Sequence, residues 1–127
     1  MKIVVISAAM LRAADACLPQ VDLFGRKFGE RLVFDKRSAL IHTAKCYAED
    51  FDFAWALRGL VRTEKAKQTA SRLCCKLYRE LDWVDFIDGC TLGLLGRGYR
   101  YEAIKEAHSR CRRRNAVAFA KLLWEAA

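Results

Sequence analysis

Five stretches of this chain repeat their apolar residues at helical spacing, while only two short stretches carry strand character, so the sequence is bound to a mostly helical fold. The clearest stripes are Leu40, Ala44, Tyr47, Ala48 and Phe51, then Ala66, Ala70, Leu73, Cys74, Leu77 and Leu81 in a longer segment that opens at Thr63. In that segment Lys65, Lys67, Arg72 and Arg79 lie mostly off the stripe, which makes it an amphipathic helix. The strand candidates are the β-branched run Lys2–Ile6 and the alternating run Arg31–Asp35, in which Leu32 and Phe34 share one face. The expected architecture is mostly α (α+β): a single compact domain over 1–127, with six or seven helices and a small two-stranded β-sheet near the N-terminus. A length of 127 residues, 54% of them hydrophobic, suits one domain with its own core.

Local signals set the expected boundaries. Ser7 is placed to cap a helix from Ala8 to about Cys17, Pro19 opens a second helix bearing Val21, Phe24 and Phe28, and Gly29 stops it. Asp35 or Ser38 is expected to cap the next helix, and Phe53–Val61 reads as a short helix carrying Trp55, Leu57 and Leu60. Asp82, Asp85 and Asp88 share one side of the following segment, where acids in a first helical turn complement the helix dipole. The longest uncharged run, Ile3 to Leu11, is nine residues. That is far below the ~20 a membrane-spanning helix requires. Arg12 and Asp15 and the lack of a small-residue cleavage motif argue against a secretory signal. A cytoplasmic setting without membrane contact is expected.

Six cysteines, at 17, 46, 74, 75, 90 and 111, sit among Ala, Leu and Tyr, which favours reduced, buried thiols over a disulfide framework. Metal binding calls for Cys-x-x-Cys or paired His spacing, and neither occurs; the nearest pairs are His42 with Cys46 and His108 with Cys111. No cofactor or metal site is expected. Catalysis has little to work with. Gly93 to Gly98 follows a helix and lacks the Lys-Ser/Thr of a nucleotide loop, and Cys46 with His42 as nucleophile and base falls on an apolar stripe. A non-enzymatic role is expected.

The net charge of +8 is unevenly placed: residues 1–62 hold 10 basic and 7 acidic groups, residues 63–95 hold 5 and 5, and residues 96–127 hold 8 and 3. A positive field gathered at one end attracts polyanions. The residues expected to contact the partner are Arg97, Arg100, Arg110, Arg112, Arg113, Arg114, Asn115 and Lys121. The region 85–127 reads as a helix ending at Leu92, Leu94 and Leu95, a break at Gly96–Gly98, a short helix from Tyr101 to Ala107, a basic turn, and a third helix from Asn115 to Trp124. That order matches a helix-turn-helix.

Leu95, Gly98, Tyr101 and Ile104, followed by Arg114-Asn115-Ala116-Val117, resemble the DNA-binding segment of the GcrA family of bacterial cell-cycle regulators over about a quarter of the chain. His108 stands where that family closes the turn with an apolar residue, the turn glycine is absent, and the stretch from Ile104 to Val117 is one residue longer. The resemblance implies a third helix in the major groove, with Arg112, Arg113 and Arg114 holding phosphates or guanine and Asn115 reading adenine. A second resemblance covers about half the chain. The runs Leu11-Arg12-Ala13-Ala14-Asp15-Ala16-Cys17, Gln20-Val21 with Phe24 and Phe28-Gly29, and Phe51-Asp52-Phe53-Ala54-Trp55-Ala56-Leu57 resemble a group of short uncharacterised phage and prophage proteins. This implies a phage origin, a bacterial host cell and no catalytic residue. The combined expectation is a small basic phage-type protein binding nucleic acid or a nucleoprotein complex through its arginine-rich C-terminal face. The alternative is a phage inhibitor of a host defence machine, anti-CRISPR-like, that acts by occluding a protein or nucleic-acid surface, with an acidic face of a host protein complex as the protein partner. A dimer is compatible with either.

Overall fold

The computed structural model describes the backbone of residues 2–91 and 96–127 and the side chains of 2–81 and 102–127. Its elements run β1 (Val4–Ser7), α1 (Ala8–Ala13), α2 (Leu18–Phe28), β2 (Arg31–Phe34), α3 (Arg37–Cys46), α4 (Phe53–Gly59), α5 (Glu64–Thr91) and α6 (Gly96–Ala126). The six described helices and the two-stranded sheet are the mostly helical architecture that the periodicity predicts. Among the described residues no helix is long and apolar enough to cross a membrane.

β1 and β2 pair antiparallel, with Val4 opposite Phe34 and Ile6 opposite Leu32. Strand alternation turns Val4, Ile6 and Phe34 into the core and leaves Ile3, Val5 and Val33 outside. The Ser7 hydroxyl accepts from the Met10 N–H at 3.1 Å and starts α1 as expected. α1 ends at Ala13 rather than near Cys17 because the chain folds back at once. Asp15 takes a left-handed φ of 60°, and the Ala16 N–H donates to the Leu11 carbonyl at 2.9 Å. Asp is among the few residues that tolerate this conformation. Pro19 lies in the first turn of α2, and Gly29, at φ 76°, terminates it.

Neither Asp35 nor Ser38 caps α3. Its N-cap is Lys36, which makes no side-chain cap bond, and Ser38 falls inside the helix. α4 is capped in the usual way, Asp52 Oδ1 accepting from the Trp55 N–H at 3.0 Å. The Thr63 hydroxyl does the same for α5, accepting from the Ala66 N–H at 3.0 Å. α5 then continues to Thr91, so Asp82, Asp85 and Asp88 fall in its second half instead of a first turn, and their side chains lie outside the described residues.

α6 is the axis of the molecule, with α3, α4 and α5 packed against it. α5 runs antiparallel to it: Lys65 Nζ meets Glu125 at 2.7 Å near one end, and Glu80 meets Arg114 further along. The face α6 turns inward is made of Ala107, Cys111, Asn115, Ala116, Phe119, Ala120 and Leu122, all buried. On the far side of α3 an aromatic cluster joins α2 to the α3–α4 loop. Phe28 lies edge-on to Phe24 at 5.2 Å and to Tyr47 at 4.8 Å, and stacks on Phe51 at 6.0 Å.

The Asp52 cap yields a direct test. Asp52→Ala removes the acceptor and is expected to cost about 1 kcal/mol, while Asp52→Asn, which caps equally well, is expected to leave stability nearly unchanged. Urea unfolding midpoints of the two variants measure the difference.

Candidate functional site

The expected basic turn does not form. Residues 108–114 lie inside α6, and Gly96–Gly98, read as a break, sits in its first turn. The helix-turn-helix expectation is therefore corrected. Between residues 99 and 126 there is no Gly or Pro, and Arg, Ala, Lys, Glu and Leu dominate, so local propensity favours one unbroken helix. Residues 92–95, which include the Leu92, Leu94 and Leu95 ending, are outside the described residues.

One continuous helix sorts the expected contact residues by angle. At 3.6 residues per turn, Arg110, Arg113 and Lys121 lie within about 80° of one another, and Arg112 and Asn115 point to the opposite side. Asn115 is 7% exposed, and its Nδ2 donates to Cys111 Sγ at 3.6 Å. It is a core residue and is in no position to read a base, a second correction. Burial pushes the Cys111 thiol pKa up. Arg112 leaves the inward arc by reaching to the α3–α4 loop, where its Nη1 pairs with Glu49 Oε2 at 2.6 Å. The Ser109 hydroxyl donates to the other Glu49 oxygen at 2.8 Å. These two hydrogen bonds hold the Glu49 pKa below the ordinary carboxylate value. The ion pair is thus intact at neutral pH and breaks as pH falls through that lowered value. Arg112 and Asn115 also line an open hollow of about 430 Å³ with His108, Glu49, Asp50 and Asp52, an acidic neighbourhood that repels a polyanion.

Arg114 turns toward α5, where its Nη1 meets Glu80 Oε1 at 2.5 Å with both side chains mostly covered. Arg110 flanks the same carboxylate at 3.8 Å and Glu106 at 3.6 Å, and Arg113 meets Glu106 at 3.4 Å. Arg110 and Arg113 keep 40% and 51% of their side chains exposed, and Lys121 is exposed. The side chains of Arg97 and Arg100 lie outside the described residues. The structure thus brings Arg110, Arg113 and Lys121 onto one outward stripe, ties Arg114 and Asn115 into covered contacts, and pairs Arg112, 57% exposed, with Glu49 at the surface on another side of the helix. Glu49 and Glu80 are invisible to a sequence reading because they lie 63 and 34 residues from their arginines. Glu106 was within reach, since it stands one helical turn before Arg110 once the helix is continuous.

The thiols also need correction. Cys17, Cys46, Cys74, Cys75 and Cys111 are free, but only Cys111 is buried. Cys74 and Cys75 are exposed on α5, whose Ala66 is buried and whose Ala70 and Leu73 pack partly covered against the core. The side chain of Cys90 is outside the described residues. Cys46 Sγ lies 3.5 Å from His42 Nε2, and both residues are exposed. Among the described residues no group of three or more His, Cys, Asp or Glu side chains is placed to hold a metal ion.

Compared with protein-family models, with curated proteins and with solved structures, the chain matches none.

The two kinds of arginine should separate in stability measurements. Arg114→Ala strands the mostly covered Glu80 carboxylate and is expected to cost about 1–3 kcal/mol. Arg113→Ala breaks only an exposed pair and is expected to stay within about 0.5 kcal/mol of the parent. Chemical denaturation of each variant checks the contrast.

Proposed function

We propose that the protein is a small, non-catalytic binding protein that engages a polyanion, nucleic acid first, through the outward stripe Arg110, Arg113 and Lys121 of α6. The observation that carries this reading is the sorting of charge on that helix. Between residues 105 and 121 it holds six cations and one acid, and adding the inward-reaching Glu49 and Glu80 still leaves three positive charges in excess. Arg113 pairs with Glu106 at 3.4 Å and Arg110 with Glu106 at 3.6 Å and, more loosely, with Glu80 at 3.8 Å, and the exposed pairs with Glu106 are worth about 0–1 kcal/mol. A phosphate can displace Glu106 at little cost. Phosphate contacts of this type position a partner without reading its sequence, so binding is expected to be largely sequence-independent. Five free cysteines suit a reducing compartment, in keeping with the cytoplasm of a bacterial host.

The test is binding of the purified protein to a labelled DNA duplex by fluorescence anisotropy over a range of salt concentrations. Affinity is expected to fall steeply with salt. The combined Arg110→Ala, Arg113→Ala, Lys121→Ala variant should reduce the log–log slope by up to about 2.7, at ~0.9 for each phosphate that is no longer neutralised. Arg112→Ala should leave the slope unchanged. Absence of binding at low salt, or equal slopes for parent and triple variant, would refute the reading. If the triple variant instead loses capture of a bacterial nucleoprotein complex while the parent ignores bare duplex, the stripe serves a protein surface.

A further inference from the structure

An apolar hollow lies away from the α6 stripe, between α2, α3, α4 and β2. It encloses about 340 Å³. Its deep walls are the buried Phe24, Phe34, Leu40 and Phe119, and its half-buried sides include Tyr47 and Trp55. A space this large at the centre of a small domain forfeits the packing that filling it would supply. Size and apolar lining match those of small-molecule sites.

The charges at its edge narrow the ligand. Of the residues lining the hollow, Asp15, Cys17 and Asp52 are exposed, which places them at the mouth. The chain carries 23 Lys and Arg against 15 Asp and Glu, yet the lining includes two carboxylates and no Lys, Arg or His. Both carboxylates sit on fixed backbone. Asp15 is held at φ 60° with its N–H donating to the Arg12 carbonyl at 3.1 Å. Asp52 is clasped by Gln20, whose Oε1 accepts from the Asp52 N–H at 2.9 Å while its Nε2 donates to the Asp50 carbonyl at 3.1 Å. Aromatic faces favour a cation further, and the two carboxylates with no cation beside them in the lining disfavour fatty acids and phosphates.

We propose that this hollow binds a small amphiphilic cation, an alkyl- or arylammonium of roughly a dozen non-hydrogen atoms at the ~30 Å³ a water occupies. Its apolar body seats against Phe24, Phe34 and Phe119, and its ammonium faces Asp15 and Asp52. This site is independent of the polyanion reading.

Decylammonium, decanol and decanoate, which share one tail and differ in head-group charge, are titrated calorimetrically into the full chain below their micelle concentrations. Decylammonium is expected to bind saturably at one site, about tenfold more tightly than decanol, with decanoate weakest. In the Asp15→Asn, Asp52→Asn double variant the decylammonium preference over decanol should shrink to about twofold, with decanol unchanged. Asparagine tolerates the left-handed turn and caps α4, so the variant keeps the fold. No saturable binding of decylammonium, decanoate binding as tightly as decylammonium, or an unchanged preference in the double variant overturns the proposal.

Discussion

The fold depends on how closely three helices approach α6. That approach is set by the small side chains on its inward face: Ala107, Ala116 and Ala120 are fully covered, and the buried Phe119 and Leu122 bring bulk, with Leu123 and Trp124 partly covered beyond them. Burying those two side chains contributes roughly 1.5–3 kcal/mol each. Phe119 lies 5.4 Å from Phe53 of α4, so a single α6 residue ties the short helix to the axis. The same face leaves Asn115 no route to solvent. Its amide turns to Cys111 because both side chains lie on that inward face one turn apart.

Once the inward arc is fixed, the arginines have no freedom over which way they point. Arg112 starts on the covered side and extends to the exposed α3–α4 loop, where it pairs with Glu49, whose other oxygen accepts from the Ser109 hydroxyl. Arg114 is turned against α5 and meets Glu80. These two clasp the axis to its neighbours. Arg110, Arg113 and Lys121 fall on the remaining arc and give the molecule its outward positive line. A run that reads as a uniform basic block therefore divides by angle and by partner: Arg112 points away from Arg110, Arg113 and Lys121, while Arg114 lies beside them by angle and is set apart by its reach to Glu80.

Much of the architecture was legible in the chain. Period-2 alternation in Arg31–Asp35 located β2 to within a residue of its end, and Pro19 and Gly29 bracketed α2. Those features are local, and local chemistry decides them. The helix-turn-helix expectation fails because the glycines at 96 and 98 fall at the start of α6, and the glycine-free, proline-free run of good helix formers behind them continues as one helix. The Glu49 and Glu80 clasps are contacts across the fold and leave no local trace. The hollow was illegible for another reason. Phe24, Phe28 and Phe51 belong to the core as their spacing predicts, but periodicity says which residues face inward and not whether their volumes fill the space between them.

Everything said of the arginines rests on α6 being one helix through the segment that the sequence marks as a turn. Backbone Cα and carbonyl chemical shifts from Ile104 to Ala118 measure this directly. Uninterrupted helical shifts, including residues 108–114, are the predicted result. Non-helical shifts across 108–114 would contradict the continuous helix, and with it the sorting of the arginines into two groups.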